Sequence, residues 1–146
     1  MKASLVWSSP KPERTVAAAM RRCYSTKTIE EIETELEQKG AEYWKFLLTK
    51  ALQDKSLDVF EHFTMTMMVE GLGEAEMGAL VMRFPYLRTT SLNGAWLVSL
   101  NARTLVELWD NPQSKAFAEA LVSELDGKGI CTIFNELAFG ARIRAR

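Results

Sequence analysis

Apolar positions recur at helical spacing through most of the chain, and at period two in a shorter stretch near its middle. Leu5-Val6-Trp7 reads as a short strand ended by Ser8-Ser9-Pro10. Pro12-Glu13 then opens a helix, since proline and an acid both suit a first turn. Val16, Met20, Cys23 and Tyr24 supply its buried face. Thr28 and Glu31 form a capping-box pair, and Ile29, Ile32 and Leu36 mark the apolar stripe of a second helix. Its acids, Glu30, Glu31, Glu33, Glu35 and Glu37, read as a solvated face. Gly40 breaks the pattern, and Trp44, Leu47, Leu48 and Ala51 resume it.

Between Val59 and Val69 the period changes. Phe63, Met65, Met67 and Val69 alternate with His62, Thr64, Thr66 and Met68, which predicts a strand carrying His62, Thr64 and Thr66 on one face. Gly71-Leu72-Gly73 ends it, and Glu74–Phe84 is expected to be helical up to Pro85. Tyr86–Asn93 reads as a loop and Ala95–Leu100 as a second long strand. Asn101 is placed to cap a helix running to about Trp109. After Asn111-Pro112, Phe117, Leu121 and Leu125 mark another helix, closed by Gly127-Lys128-Gly129. A last helix covers Thr132 to Phe139. The expected fold is a helix-rich α+β domain spanning residues 1–146, with a small mixed or antiparallel sheet.

Composition narrows the function classes. The 146 residues are 47% hydrophobic and 25% charged, ordinary for a globular domain with a real core. A net charge of −1 argues against a dedicated nucleic-acid binder. No apolar run approaches the roughly 20 residues of a membrane span, and no signal-like segment opens the chain. A cytoplasmic protein with free, buried Cys23 and Cys131 is therefore expected. One histidine and two distant cysteines exclude a Cys/His zinc site, so no metal is expected.

Two places carry candidate chemistry. His62, with Thr64 and Thr66, makes a polar strip able to hydrogen-bond a ligand; a structural histidine satisfied by its neighbours is the other reading. Met65, Met67 and Met68 accompany it, either as core or as a wall for a planar aromatic group. Asn101-Ala102-Arg103 sits where a strand becomes a helix, and free amides at a helix start suit a phosphate, with Arg103 adding a guanidinium fork. Gly71-x-Gly73 lacks the third glycine of a dinucleotide fingerprint. The tail arginines, Arg142, Arg144 and Arg146, reach a phosphate or lie solvated. No residue type or spacing designates a catalytic group.

Three blocks resemble the flavin-dependent thymidylate synthases. Val16 to Ser25 is similar to that family's first helix with its Cys-Tyr-Ser ending. Glu61-His62-Phe63-Thr64-Met65-Thr66-Met67 resembles its Glu-His-x-x-Phe-Thr-Phe strand, and Val98 to Leu105 its Asn-Ala-Arg-Ser-Leu junction. The resemblance implies a homotetramer binding FAD between subunits and methylating dUMP with methylenetetrahydrofolate and NADPH. It implies cofactor-facing roles for His62, Asn101 and Arg103, and Thr64, on the same expected strand face as His62, joins them as a cofactor-binding candidate.

The chain departs from that pattern where the family carries Arg-His-Arg and then a loop ending in Ser-x-Arg-Tyr. Here Met82-Arg83-Phe84 is followed by Pro85-Tyr86-Leu87-Arg88. Arg83 is the one basic residue retained for the cofactor, and Arg88 the nearest substitute for binding substrate. Each charge-assisted hydrogen bond is worth roughly 1.5–3 kcal/mol, so losing three weakens dUMP binding by a factor of about a thousand or more. The expected function is a divergent relative holding FAD or another nucleotide; the alternative is a non-catalytic oligomeric scaffold.

Overall fold

The computed structural model describes residues 1–140. The tail arginines lie outside the described residues. Four strands, β1 (Lys2–Ser8), β2 (Thr64–Glu70), β3 (Arg88–Leu92) and β4 (Ala95–Asn101), form one sheet in the order β1-β2-β4-β3. Every pairing is antiparallel, so of the two sheet types expected the antiparallel one is present. Among the described residues seven helices accompany it: α1 (Pro12–Cys23), α2 (Ile29–Lys39), α3 (Ala41–Gln53), α4 (Glu74–Arg83), α5 (Ala102–Asp110), α6 (Lys115–Lys128) and α7 (Thr132–Phe139). A 3₁₀ helix, Leu57–His62, precedes β2. Among the described residues no helix is long and apolar enough to cross a membrane.

The sheet has two unlike faces because its strands alternate. Met65, Met67 and Val69 of β2, with Val98 and Leu100 of β4, are buried against the helices. Thr64, Thr66 and Met68 point the other way. Phe134 of α7 centres the core at one end of the sheet. Its ring centroid lies 5.4 Å from Phe60, 5.7 Å from Phe63 and 5.4 Å from Phe139, locking the 3₁₀ helix and α7 together.

Local signals landed well. Thr28 and Glu31 make a full capping box, Gly40 separates α2 from α3 at φ 71°, and α7 has the predicted bounds. Other expectations need correction. The loop expected at Tyr86–Asn93 contains β3, which forms a hairpin with β4 through Asn93-Gly94, both at positive φ. Its Arg88–Leu92 segment is largely exposed, so no apolar alternation betrayed it. Strand β1 is longer than Leu5–Trp7 and is bulged between Leu5 and Trp7.

His62 is not on a strand. It closes the 3₁₀ helix, because Phe60 and Phe63 are both buried at a spacing of three and the Phe63 amide donates to the Phe60 carbonyl. Cys23 and Tyr24 end α1 beyond the core and are exposed, as is Ile29 at the start of α2. The helix closed by Gly127-Lys128-Gly129 runs through Gly127 and stops at Gly129, which is left-handed at φ 65°.

Glu35, expected on a solvated face, is buried. Its carboxylate accepts from Arg21 at 3.2 Å, Lys27 at 2.9 Å, Lys39 at 3.2 Å and the Tyr43 hydroxyl at 3.0 Å. A helical wheel of α2 alone cannot show this, since α1 and α3 supply the partners. The clasp joins three helices beneath a carboxylate that its neighbours hold well below the usual carboxylate range, the Lys27 hydrogen bond foremost.

Candidate functional site

Two chain junctions meet at one end of the sheet. At the first, the 3₁₀ helix passes through Phe63 into β2; at the second, β4 passes directly into α5. The Ala102 amide donates to the Phe63 carbonyl at 2.8 Å, and Thr64 pairs with Asn101 across the strands. This brings the backbones of His62, Thr64, Asn101 and Arg103 together, although Thr64 and Asn101 are 37 positions apart in the sequence. Ser9, following β1, braces the junction: its hydroxyl accepts from the Thr64 amide at 2.9 Å.

A shallow concavity of about 300 Å³ opens on the polar sheet face beside these junctions. Thr64, Thr66, Tyr86, Arg88, Ser99 and Asn101 line it. Arg88 belongs there because β3 pairs with β4 in a register that sets Arg88 opposite Ser99. Thr66 and Ser99 share a 2.9 Å hydrogen bond on the same face. Arg88 and Tyr86 are exposed, with no side-chain hydrogen bond or ion pair among the described residues.

The polar groups differ in how free they are. Asn101 spends its Oδ1 on the start of α5, accepting from the Thr104 amide at 2.8 Å, as the cap reading predicted. Its amide nitrogen is left for a ligand. Arg103 is held by two carboxylates, Glu61 at 3.3 Å and Glu107 at 3.2 Å. An anion at the helix start must share or displace them. His62 is exposed, and its imidazole has no hydrogen-bond partner among the described residues.

Arg83 stands apart from this group. It ends α4 and hydrogen-bonds Gln113 and, at 3.5 Å, Asn111, on the connection between α5 and α6. It lines a separate cavity with Leu80, Phe84 and Phe117. Met65 and Met67 are core, and Met68 is half-buried on the opposite face. Three contributors were missed from sequence: Glu61, Ser99 and Tyr86. The Asn93-Gly94 pair, a strong hairpin signal, could have placed Ser99 beside Arg88 and brought Tyr86 to the rim.

The chemistry available is anion and hydrogen-bond recognition. Arg88, the Asn101 amide and the Thr64 and Thr66 hydroxyls can bind phosphate, ribose or a heterocycle edge. No acid–base pair or nucleophile with an adjacent base is assembled there among the residues lining the concavity.

No curated protein sequence matches the chain significantly. A family model for thymidylate synthase complementing protein matches residues 4–82, more than half of the chain. The match runs from β1 through most of α4, taking in the Val16–Ser25 and Glu61–Met67 blocks and stopping one residue short of Arg83. The Val98–Leu105 block lies beyond it. The chain belongs to the thymidylate synthase complementing protein family, the flavin-dependent thymidylate synthases.

Proposed function

We propose that this chain holds a flavin nucleotide, FAD, at the sheet end where β2 and β4 meet the helices, and that its capacity to methylate dUMP is reduced or lost. The observation that supports this reading is the convergence of His62, Thr64, Asn101 and Arg103 at one pair of junctions, with Arg88 on the adjoining sheet face. These groups fit part of such a cofactor. Asn101, Thr64 and His62 offer hydrogen bonds, while Arg88 and Arg103 offer charge to a pyrophosphate.

A concavity of about 300 Å³ sits at the small end of ligand pockets, and FAD is large. The remaining walls come from other copies in the homotetramer that the family resemblance implies. When bound, a flavin supplies hydride transfer; this chain's residues bind and orient it. Arg83 lies in a different cavity and is not part of the proposed cofactor wall. With one basic residue standing for Arg-His-Arg, the dUMP phosphate lacks most of its expected partners.

Purified protein is expected to show flavin absorbance or to take up added FAD, and to sediment as a tetramer. Absence of both absorbance and uptake overturns the reading. NADPH oxidation stimulated by dUMP, with thymidylate formed, would show that the inherited reaction survives. The second reading, an oligomeric scaffold without cofactor, is favoured by the self-contained pairing of Arg103 with Glu61 and Glu107. A colourless tetramer is its signature.

A further inference from the structure

A second cavity, of about 390 Å³, lies between the start of α1, the turn joining α2 to α3, and Ile130 ahead of α7. It shares no lining residue with the concavity on the sheet face. Pro12, Trp44 and Ile130 form its apolar wall. Trp44 is fixed there, because its indole nitrogen donates to the Leu36 carbonyl at 2.9 Å. The volume falls within the range of about 300–1,000 Å³ typical of small-molecule sites.

Arg14 is the unusual member of the wall. It is half-buried, and its Nε is shielded from solvent with no hydrogen-bond partner. Neither a hydrogen bond nor an ion pair reaches its side chain among the described residues. Buried polar groups are nearly always paired, and a guanidinium can only donate, so an acceptor is missing. The adjacent acid does not provide it. Glu13 turns its carboxylate to the start of α7, accepting from the backbone amides of Phe134 and Ile133. Lys11, held in the left-handed region at φ 46°, adds a second cation with no side-chain partner among the described residues. Against these stands one further acid on the wall, Glu37.

We infer that this cavity is a binding site for a small carboxylate that carries an aromatic ring, such as an arylacetate. The ring packs against Trp44, Pro12 and Ile130. The carboxylate accepts from the Arg14 guanidinium, whose planar fork matches it, and a torsional adjustment of that side chain gives Nε its missing acceptor. A neutral ring leaves Arg14 unsatisfied, and a bare inorganic anion makes no use of the apolar wall. The charge and the ring are therefore both required.

Phenylacetate is a suitable probe, with phenylacetamide as its neutral isostere and inorganic phosphate as the ion control. Binding is read from the arginine Nε–H and tryptophan indole N–H resonances of the full chain labelled with ¹⁵N. Phenylacetate is expected to shift the Arg14 and Trp44 signals saturably, and to bind at least tenfold more tightly than phenylacetamide or phosphate. Arg14→Gln identifies the Arg14 signal and should cost a similar factor in affinity, with the backbone amide spectrum otherwise preserved. Absence of saturable shifts, equal binding of phenylacetamide, or equal shifts with phosphate overturns the proposal. The three-ligand comparison on the unaltered protein decides the matter even if Arg14→Gln fails to fold.

Discussion

Glu61 and Arg103 are joined across the two junctions by a 3.3 Å contact between Oε1 and Nη1, with Glu107 holding the same guanidinium from the next turn of α5. The pairing orients the one cation at the start of that helix while masking part of its charge. Both partners of the Glu61 contact are more than a third exposed, so the pair itself adds at most about 1 kcal/mol to stability.

Two opposite effects on ligand binding follow from that contact. Arg103→Ala should weaken FAD retention at least tenfold, measured by titration against intrinsic fluorescence. Glu61→Gln removes a competitor for the guanidinium and should tighten FAD binding or leave it unchanged, with little loss of stability. Unaltered FAD affinity in Arg103→Ala would remove Arg103 from the site.

The Glu35 clasp predicts an acid-sensitive fold. Its carboxylate titrates well below the ordinary value of 4.5, so the clasp is fully made above that pH. Its contribution is lost as pH falls and the carboxylate protonates. Glu35→Gln should lower the melting temperature at neutral pH, leaving Arg21, Lys27 and Lys39 without their common acceptor. The difference from the unaltered protein should shrink on acidification. A difference that holds constant down to strongly acidic pH would contradict this account.

Glu13 is expected to behave in the opposite sense. Burial is the largest influence on it and pushes its pKa above 4.5, against the lowering effect of the Phe134 and Ile133 amides. The folded state thus favours the protonated acid. That contribution is full below the ordinary carboxylate pKa and is lost as pH rises through the raised one. Glu13→Gln keeps an oxygen for the α7 amides and removes the titration. Its melting temperature should gain on the unaltered protein as pH rises above the ordinary carboxylate value of 4.5; parallel curves would refute the assignment.

The hairpin joining β3 to β4 gives a prediction about backbone alone. A Cβ at Gly94 would meet nothing within 4 Å, yet its φ is 86°. Gly94→Ala should therefore cost about 1 kcal/mol through strain, or roughly 2–4 °C in melting temperature. No change in FAD affinity is expected unless the register of Arg88 against Ser99 slips.

What could be read from sequence was chiefly local. The Thr28 and Asn101 caps, Pro12 at the start of α1, and the alternation through β2 each depend on neighbours within a few residues. The errors arose where a distant element decided the outcome. Glu35 is buried by partners on α1 and α3, and β3 is held by β4 despite an exposed, polar run. His62 lies off the strand because the apolar alternation overlaps a spacing of three at the buried Phe60 and Phe63. The candidate site was half legible for the same reason: Asn101 and Arg103 declare themselves as a helix start, whereas the Glu61 contact exists only after folding.

The two cysteines share one expectation from sequence and end in opposite surroundings, which gives a direct chemical test. Cys23 is exposed at the end of α1, whereas Cys131 is fully buried and donates to the Asn135 side chain at 3.4 Å. Burial, reinforced by the charges of Glu13 and Asp126, pushes the Cys131 thiol up to about 12. The thiolate is the reactive form, so Cys131 should resist alkylation in the native protein. One thiol per chain should react promptly with a water-soluble reagent, and the second only on unfolding. Cys23→Ser should abolish the prompt phase alone. Rapid native labelling of Cys131 would mean that the α6–α7 corner opens more readily than its packing implies.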